Sequence, residues 1–208
     1  MSVLQYPEQS PAGQILHHLQ RHNKAGVKDL EGVLGVSTTA VREHLIHLQA
    51  SGLVATSSER RGPGRPRLVY TLTDKAHSLF PKQYNTLISL LLNEISAVEG
   101  SAKVEQILDG VSQRLASEYS NHMHGTNSAA RLGELRILLE SRGVPAEVMP
   151  GGASIRLFAC PYYDIAQAHP EVCSMERQML EYVLGEKVDI GKTIRDGHHN
   201  CHFVVREG

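Results

Sequence analysis

The chain has no tryptophan, only three phenylalanines and only three cysteines. Aromatic residues make up 5% of it, so a core must be built largely from aliphatic side chains. Three thiols do not form the paired framework of a small secreted domain, and a reducing cytosol keeps such thiols free. No apolar run reaches the ~18 residues of a membrane span. The opening, MSVLQYPEQSPAGQ, lacks the basic start and apolar stretch of a secretory signal. The expected location is the cytoplasm, away from any membrane. Also missing are the phosphate-cradling P-loop, the GxSxG elbow, the HExxH zinc pair and the dinucleotide glycine fingerprint. No enzymatic role is expected.

What is present is ordinary globular material: 208 residues, 41% hydrophobic and 21% charged. That suffices for one large domain or two small ones. The net charge of −1 hides an asymmetry. Residues 1–80 carry 9 Lys and Arg against 6 Asp and Glu, whereas residues 81–208 carry 12 against 16. A basic front and an acidic back suggest that the front meets a polyanion.

The spacing of Ile15, Leu16 and Leu19 predicts a helix from Pro11 to Gly26. A short helix fits VKDLEGVLG, with Val27, Leu30 and Leu34 on one face. A third follows in VSTTAVREHLIHLQASG, with Ser37 as N-cap, Val41, Leu45 and Leu48 as its apolar stripe and Gly52 as its stop. Its other face offers Ser37, Thr38, Thr39, Arg42 and Glu43, with His44 and His47 nearer the boundary. Short donors and acceptors plus an Arg near a helix N-terminus suit base edges in a major groove. An ordinary solvated helix face has the same composition. Two strand-like segments, Leu53–Ser57 and Leu68–Leu72, then flank ERRGPGRPR. Arg60, Arg61, Arg65 and Arg67 make that turn strongly cationic, and phosphate is its natural counter-charge. Gly64-Arg65-Pro66 is similar to the core of an AT-hook, which lays an Arg in a narrow minor groove. The combination reads as a winged helix-turn-helix. It resembles the ArsR/MarR/DeoR-like winged-helix regulators of prokaryotes.

A further short helix starts at Asp74, and a long one runs from about Pro81 to Ser96. Tyr84, Ile88, Leu91, Ile95 and Val98 follow heptad spacing, widened by Leu87, Leu90 and Leu92, and Gly100 ends the run. The next helix aligns Val104, Leu108, Val111 and Leu115. These stripes are either core within the chain or the seam of a homodimer. Winged-helix repressors read two half-sites of an inverted-repeat operator through a two-fold dimer, so a homodimer through residues 81–120 is expected. The polar run HMHGTNSA (122–129) reads as a linker, and His122 and His124 as solvated rather than metal-bound.

Residues beyond it read as helix, hairpin, helix, hairpin. Ala130–Arg142 and Pro170–Leu184 are the helices, PGGA and Asp196-Gly197 the turns. The expected class is α+β. It comprises a winged helix-turn-helix (1–78), central dimerisation helices (79–124) and a small C-terminal α/β domain with a three-cysteine site (125–208).

Each cysteine falls at the end of an element. Cys160 follows a strand and precedes Pro161, Cys173 lies in a helix first turn, and Cys201 follows the run His198-His199-Asn200 on the last strand. A helix first turn favours a thiolate. Three cysteines so placed in a DNA-binding chain read as ligands rather than core filler. Twelve residues separate Cys160 from Cys173 and 27 separate Cys173 from Cys201. With the winged helix and CPYYDIAQAHPEVC, this pattern resembles the SufR family, repressors of iron–sulfur cluster assembly genes. The resemblance implies that Cys160, Cys173 and Cys201 hold an iron–sulfur cluster, [4Fe-4S] rather than [2Fe-2S], on a homodimeric repressor that binds double-stranded operator DNA. It also implies tight DNA binding with the cluster and weak binding without it. Soft thiolates select iron–sulfur clusters or zinc over hard cations. Three leave one ligand position open. His199, taken to share a strand face with Cys201, is the first candidate to fill it, followed by His198, His202, Asp164 and Glu171. A zinc-dependent or thiol-redox regulator is the alternative, since Cys3His is also a structural zinc set.

Overall fold

The computed structural model describes residues 6–60 and 66–206. Two compact units divide the chain, Met1–Lys82 and Gln83–Gly208.

In the first unit Ser10 caps α1 (Pro11–His22), accepting a hydrogen bond from the Gly13 N–H at 3.1 Å. Ile15, Leu16 and Leu19 are buried. The helix ends at His22 rather than at Gly26, because Asn23 takes up a left-handed conformation (φ 66°) and turns the chain into a two-residue strand, β1 (Lys24–Ala25). Asn tolerates that region better than most residues. Next come α2 (Val27–Leu34) and α3 (Thr38–Ala50), separated by a turn at Gly35 with φ 66°. The Ser37 hydroxyl caps α3, accepting from the Ala40 N–H at 3.3 Å. Val41, Leu45 and Leu48 face inward as their spacing predicts. Strands β2 (Val54–Glu59) and β3 (Arg67–Leu72) pair antiparallel, from Val54 opposite Leu72 to Glu59 opposite Arg67. Strand β1 adds to the other edge of β3, giving the order β1-β3-β2. Thr73 caps the short α4 (Asp74–His77). Three helices on a small sheet, with a hairpin projecting after the third helix, make a winged-helix unit. Its core is aliphatic apart from Tyr70 and Phe80.

The second unit holds α5 (Tyr84–Glu99), α6 (Ser101–Ser120), α7 (Ser128–Ser141), β4 (Ala146–Val148), β5 (Ser154–Leu157), α8 (Tyr163–Ala168), α9 (Glu171–Leu184), β6 (Lys187–Lys192) and β7 (Cys201–Arg206). Its sheet is antiparallel with the order β4-β5-β7-β6. The last strand therefore inserts beside β5, merging the two expected hairpins into one sheet. Helix α8, in the stretch after Cys160, was not expected from the sequence.

The three-part division drawn from the sequence, 1–78, 79–124 and 125–208, differs from these two units. Residues 122–129 do not separate two bodies. Ala116 and Tyr119 of α6 and Met123 join Leu132, Ile155, Leu180 and Phe203 in a single core. The Glu134 carboxylate accepts hydrogen bonds from the His124 and Gly125 N–H groups, both at 3.0 Å, pinning the supposed linker to α7. The heptad stripe of α5 is also divided. Leu92 is buried and Ile95 packs beside it against Val104 and Leu108 of α6, while Tyr84, Ile88, Leu91 and Val98 stay exposed. On α6 the inward line runs through Val104, Leu108, Ser112, Ala116 and Tyr119, which leaves Val111 at the margin.

Candidate functional site

Two places carry chemistry, one in each unit. The first is the outer face of α3 and the adjoining wing. Thr39, Arg42, Glu43 and His47 are exposed, and Thr38 and His44 are half-exposed. Among the described residues, nothing pairs with the Arg42 guanidinium, which leaves its donors free for a ligand. Ser37 differs, since its hydroxyl is occupied by the cap. Ile46 stands 62% exposed on the same face, one turn beyond Arg42 and Glu43. The sequence reading passed over Ile46, although an isoleucine outside the 41–45–48 stripe was a visible signal. An exposed aliphatic group there suits a thymine methyl.

Of the four wing arginines, Arg60 is exposed, while Arg61 and Arg65, and with them most of the AT-hook-like tripeptide, lie outside the described residues. Arg67 is engaged: its guanidinium lies 2.6 Å from the Asp29 carboxylate of α2. Asp29 also accepts the Gly26 N–H at 2.8 Å. That hydrogen bond first, and Arg67 second, hold the Asp29 carboxyl below its ordinary range. A Cβ at Gly26 would sit 2.4 Å from the Arg67 guanidinium, so a larger residue there would displace that side-chain end from Asp29. A second ion pair, Lys24 to Glu59, ties β1 to β2. Arg67 thus anchors the base of the wing, a role its place in a basic run did not reveal.

The second place is built from three elements. Pairing of Leu157 with Cys201 brings the end of β5 and the start of β7 together. Cys160 follows β5 by three residues, and the first turn of α9 supplies Cys173. Cys201 is buried and the other two thiols are half-buried. The Ile194 N–H donates to the Cys201 sulfur at 3.3 Å. Burial pushes the Cys160 thiol up to about 12, and the charges of Glu176, Cys201 and Cys173 add to that rise. Cys173 and Cys201 are also raised, first by burial and then, among other charges, by Glu176. For Cys173, at the α9 N-terminus, burial thus acts against the thiolate expected of a helix first turn.

Glu176 is the residue the sequence reading missed. It is 5% exposed, and burial alone raises its carboxyl to about 7. It lies on the stripe Val172, Met175, Met179, Leu180 and Val183, so a carboxylate at an apolar helix position was the available signal. The histidine proposed from the sequence fares differently. Strand β7 begins at Cys201, so His199 precedes the strand and shares no face with it. His199 is exposed, its ring 5.8 Å from that of Phe158. His198 is exposed too. His202 follows Cys201 directly and so points to the opposite face of the strand. There burial, then Arg156 and Lys192, lower its pKa. Asp164 accepts a hydrogen bond from the Asn85 amide. Glu171, the first residue of α9, has a buried oxygen, Oε2, without a partner.

Among the described residues, no group of three or more His, Cys, Asp or Glu side chains is placed to hold a metal ion. The three thiols nevertheless lie within one another's electrostatic reach. Soft sulfur donors suit an iron–sulfur cluster and zinc alike.

No protein-family model matches the sequence, and no curated protein sequence matches it. A solved structure, Bacillus subtilis PadR in complex with operator DNA, is similar over 82% of this chain and 98% of its own. The identity is 16% and the TM-score 0.30, a likeness too low to carry a conclusion. Among the described residues, no helix is long and apolar enough to cross a membrane.

Proposed function

We propose that this chain is a homodimeric DNA-binding transcriptional repressor whose operator affinity is set by an iron–sulfur cluster on Cys160, Cys173 and Cys201. The genes it controls would include those for cluster assembly. The observation that carries this reading is the gathering of three thiols from three separate elements, in a chain whose other unit is a winged helix. In that unit the outer face of α3 supports the DNA reading. Arg42, Thr39 and Ile46 offer a donor, a hydroxyl and an apolar contact for base edges, and Arg60 lies at the start of the wing tip for phosphate.

The exposed face of α5 supports the dimer. Leu87, Leu90, Leu91 and Val98 share one helix face and are each more than half exposed, and exposed apolar groups so grouped mark an interaction surface. A second copy covers it in this reading and sets two recognition helices at half-site spacing. The chain's residues supply thiolates, bury the site and tie it to α9, β5 and β7. A bound cluster supplies redox and oxygen sensitivity, together with cross-links among those elements. Losing these ties loosens the second unit and lowers operator affinity. Raised thiol pKa values weigh against a metal-free thiol switch, which needs an accessible thiolate.

The test is anaerobic purification, with the visible spectrum, iron and acid-labile sulfide measured beside Cys160→Ser, Cys173→Ser and Cys201→Ser. A brown protein holding both elements, bleached by each substitution, is the expected result. A colourless protein after anaerobic reconstitution overturns the cluster. Equal affinity of the brown and bleached forms for operator DNA overturns the control.

A further inference from the structure

We propose that Ile46 of α3 is a specificity-determining residue, reading the C5-methyl group of a thymine in each operator half-site, close to a guanine held by Arg42. This rests on the DNA-binding part of the reading above and not on the cluster. Ile46 lies one turn beyond Arg42 and three residues beyond Glu43, so the three side chains are neighbours on one helix face. All are exposed, Ile46 to 62%. The apolar stripe of α3, Val41, Leu45 and Leu48, is buried without it. A β-branched side chain lowers helix propensity, and one left in solvent returns no packing. Ile46 thus costs the helix something and adds nothing to the core.

The neighbours decide what covers it. Among the described residues, no partner engages the Arg42 guanidinium or the Glu43 carboxylate. Phosphate repels a carboxylate, so a strip that includes Glu43 does not lie along the DNA backbone. Base edges suit the same three groups. Guanine O6 and N7 accept from an arginine, the cytosine N4 amino group donates to a carboxylate, and a thymine methyl packs on an apolar side chain. A protein partner needs more apolar area than one isoleucine beside charged groups provides. Four residues of helix advance about 6 Å and stacked base pairs about 3.4 Å, so the thymine falls within about two base pairs of the guanine.

Protein purified anaerobically would be used to select bound duplexes from a random pool, which gives the half-site. Each thymine of that site would then be replaced in turn, with its symmetry mate, by deoxyuridine, which lacks only the methyl group. Affinity would be read by fluorescence anisotropy at one fixed salt concentration. For wild type, one such replacement near a guanine should weaken binding by about fifteenfold, about fourfold for each methyl lost from an apolar contact. Ile46→Ala should bind the thymine and deoxyuridine duplexes alike, and Ile46→Val should keep part of the preference. Ile46 is exposed, so neither variant disturbs the core. A selected site whose thymines all tolerate deoxyuridine overturns the assignment, as does an Ile46→Ala protein as sensitive to the replacement as wild type. Both of those results leave DNA binding intact. A selection that enriches no sequence overturns sequence-specific DNA binding and the assignment together.

Discussion

At the scale of single residues, the functional groups are defined by what surrounds them rather than by type. Arg67 and Arg42 are both cations in a basic unit, yet one is bound to Asp29 and the other has no partner among the described residues. Glu176 is one of many carboxylates, but burial raises it from an ordinary 4.5 to about 7. The consequence for the metal-free protein has a definite sign. Below about pH 4.5 the carboxyl is protonated whether the chain is folded or not, and it costs nothing. From there to about 7 the unfolded chain ionises first, so stability falls as pH rises. Above 7 the full cost, roughly 3 kcal/mol, is in place. Urea titrations of metal-free wild type and Glu176→Gln should therefore agree near pH 4.5, and the variant should be the more stable at pH 8. A gap that is the same at both pH values would mean that the carboxyl is not buried as described.

At the scale of elements, α5 shows how one helix serves two purposes. Its inner line, Leu92 and Ile95, belongs to the core shared with α6, α8 and α9. Its outer line is left to solvent in the single chain. Leu92→Ala should destabilise the fold by about 2–5 kcal/mol, the usual cost of a cavity at a buried leucine. Leu91→Glu should leave the melting temperature of the unit nearly unchanged and convert a dimer to a monomer in light scattering. A Leu91→Glu protein that remains dimeric would place the interface elsewhere. The heptad spacing was legible in the sequence, but which residues of it faced inward was not. That depended on where Val104, Leu108 and Met175 came to lie.

At the scale of the whole molecule, the basic bias of residues 1–80 bears on affinity. Each phosphate neutralised on duplex DNA contributes about −0.9 to the slope of log affinity against log salt. Replacing Arg60 and Arg61 with alanine removes up to two cations per protomer, and so should flatten the slope by roughly 3 to 4 for a dimer. Arg67→Ala should change the slope less, since its charge is already met by Asp29, and should instead loosen the wing base. An Arg67→Ala slope change as large as that of the double variant would put Arg67 on the DNA.

Most of the elements could be read from the sequence because their signals are local. Caps at Ser37 and Thr73, glycine stops at Gly35, Gly143 and Gly185, and the apolar periods of α1, α3 and α9 act within a few residues. The helix-turn-helix and the two strands of the wing follow from those signals alone, as does the placing of the three cysteines at element ends. Long-range pairing is not written in such periods. The insertion of β7 beside β5, the joining of residues 84–120 to the C-terminal core, the Asp29–Arg67 clamp and the burial of Glu176 were each decided by the tertiary structure. The physical reason is the same in every case. Burial and charge act through space, and the partner that gives a residue its role stands tens of residues away along the chain.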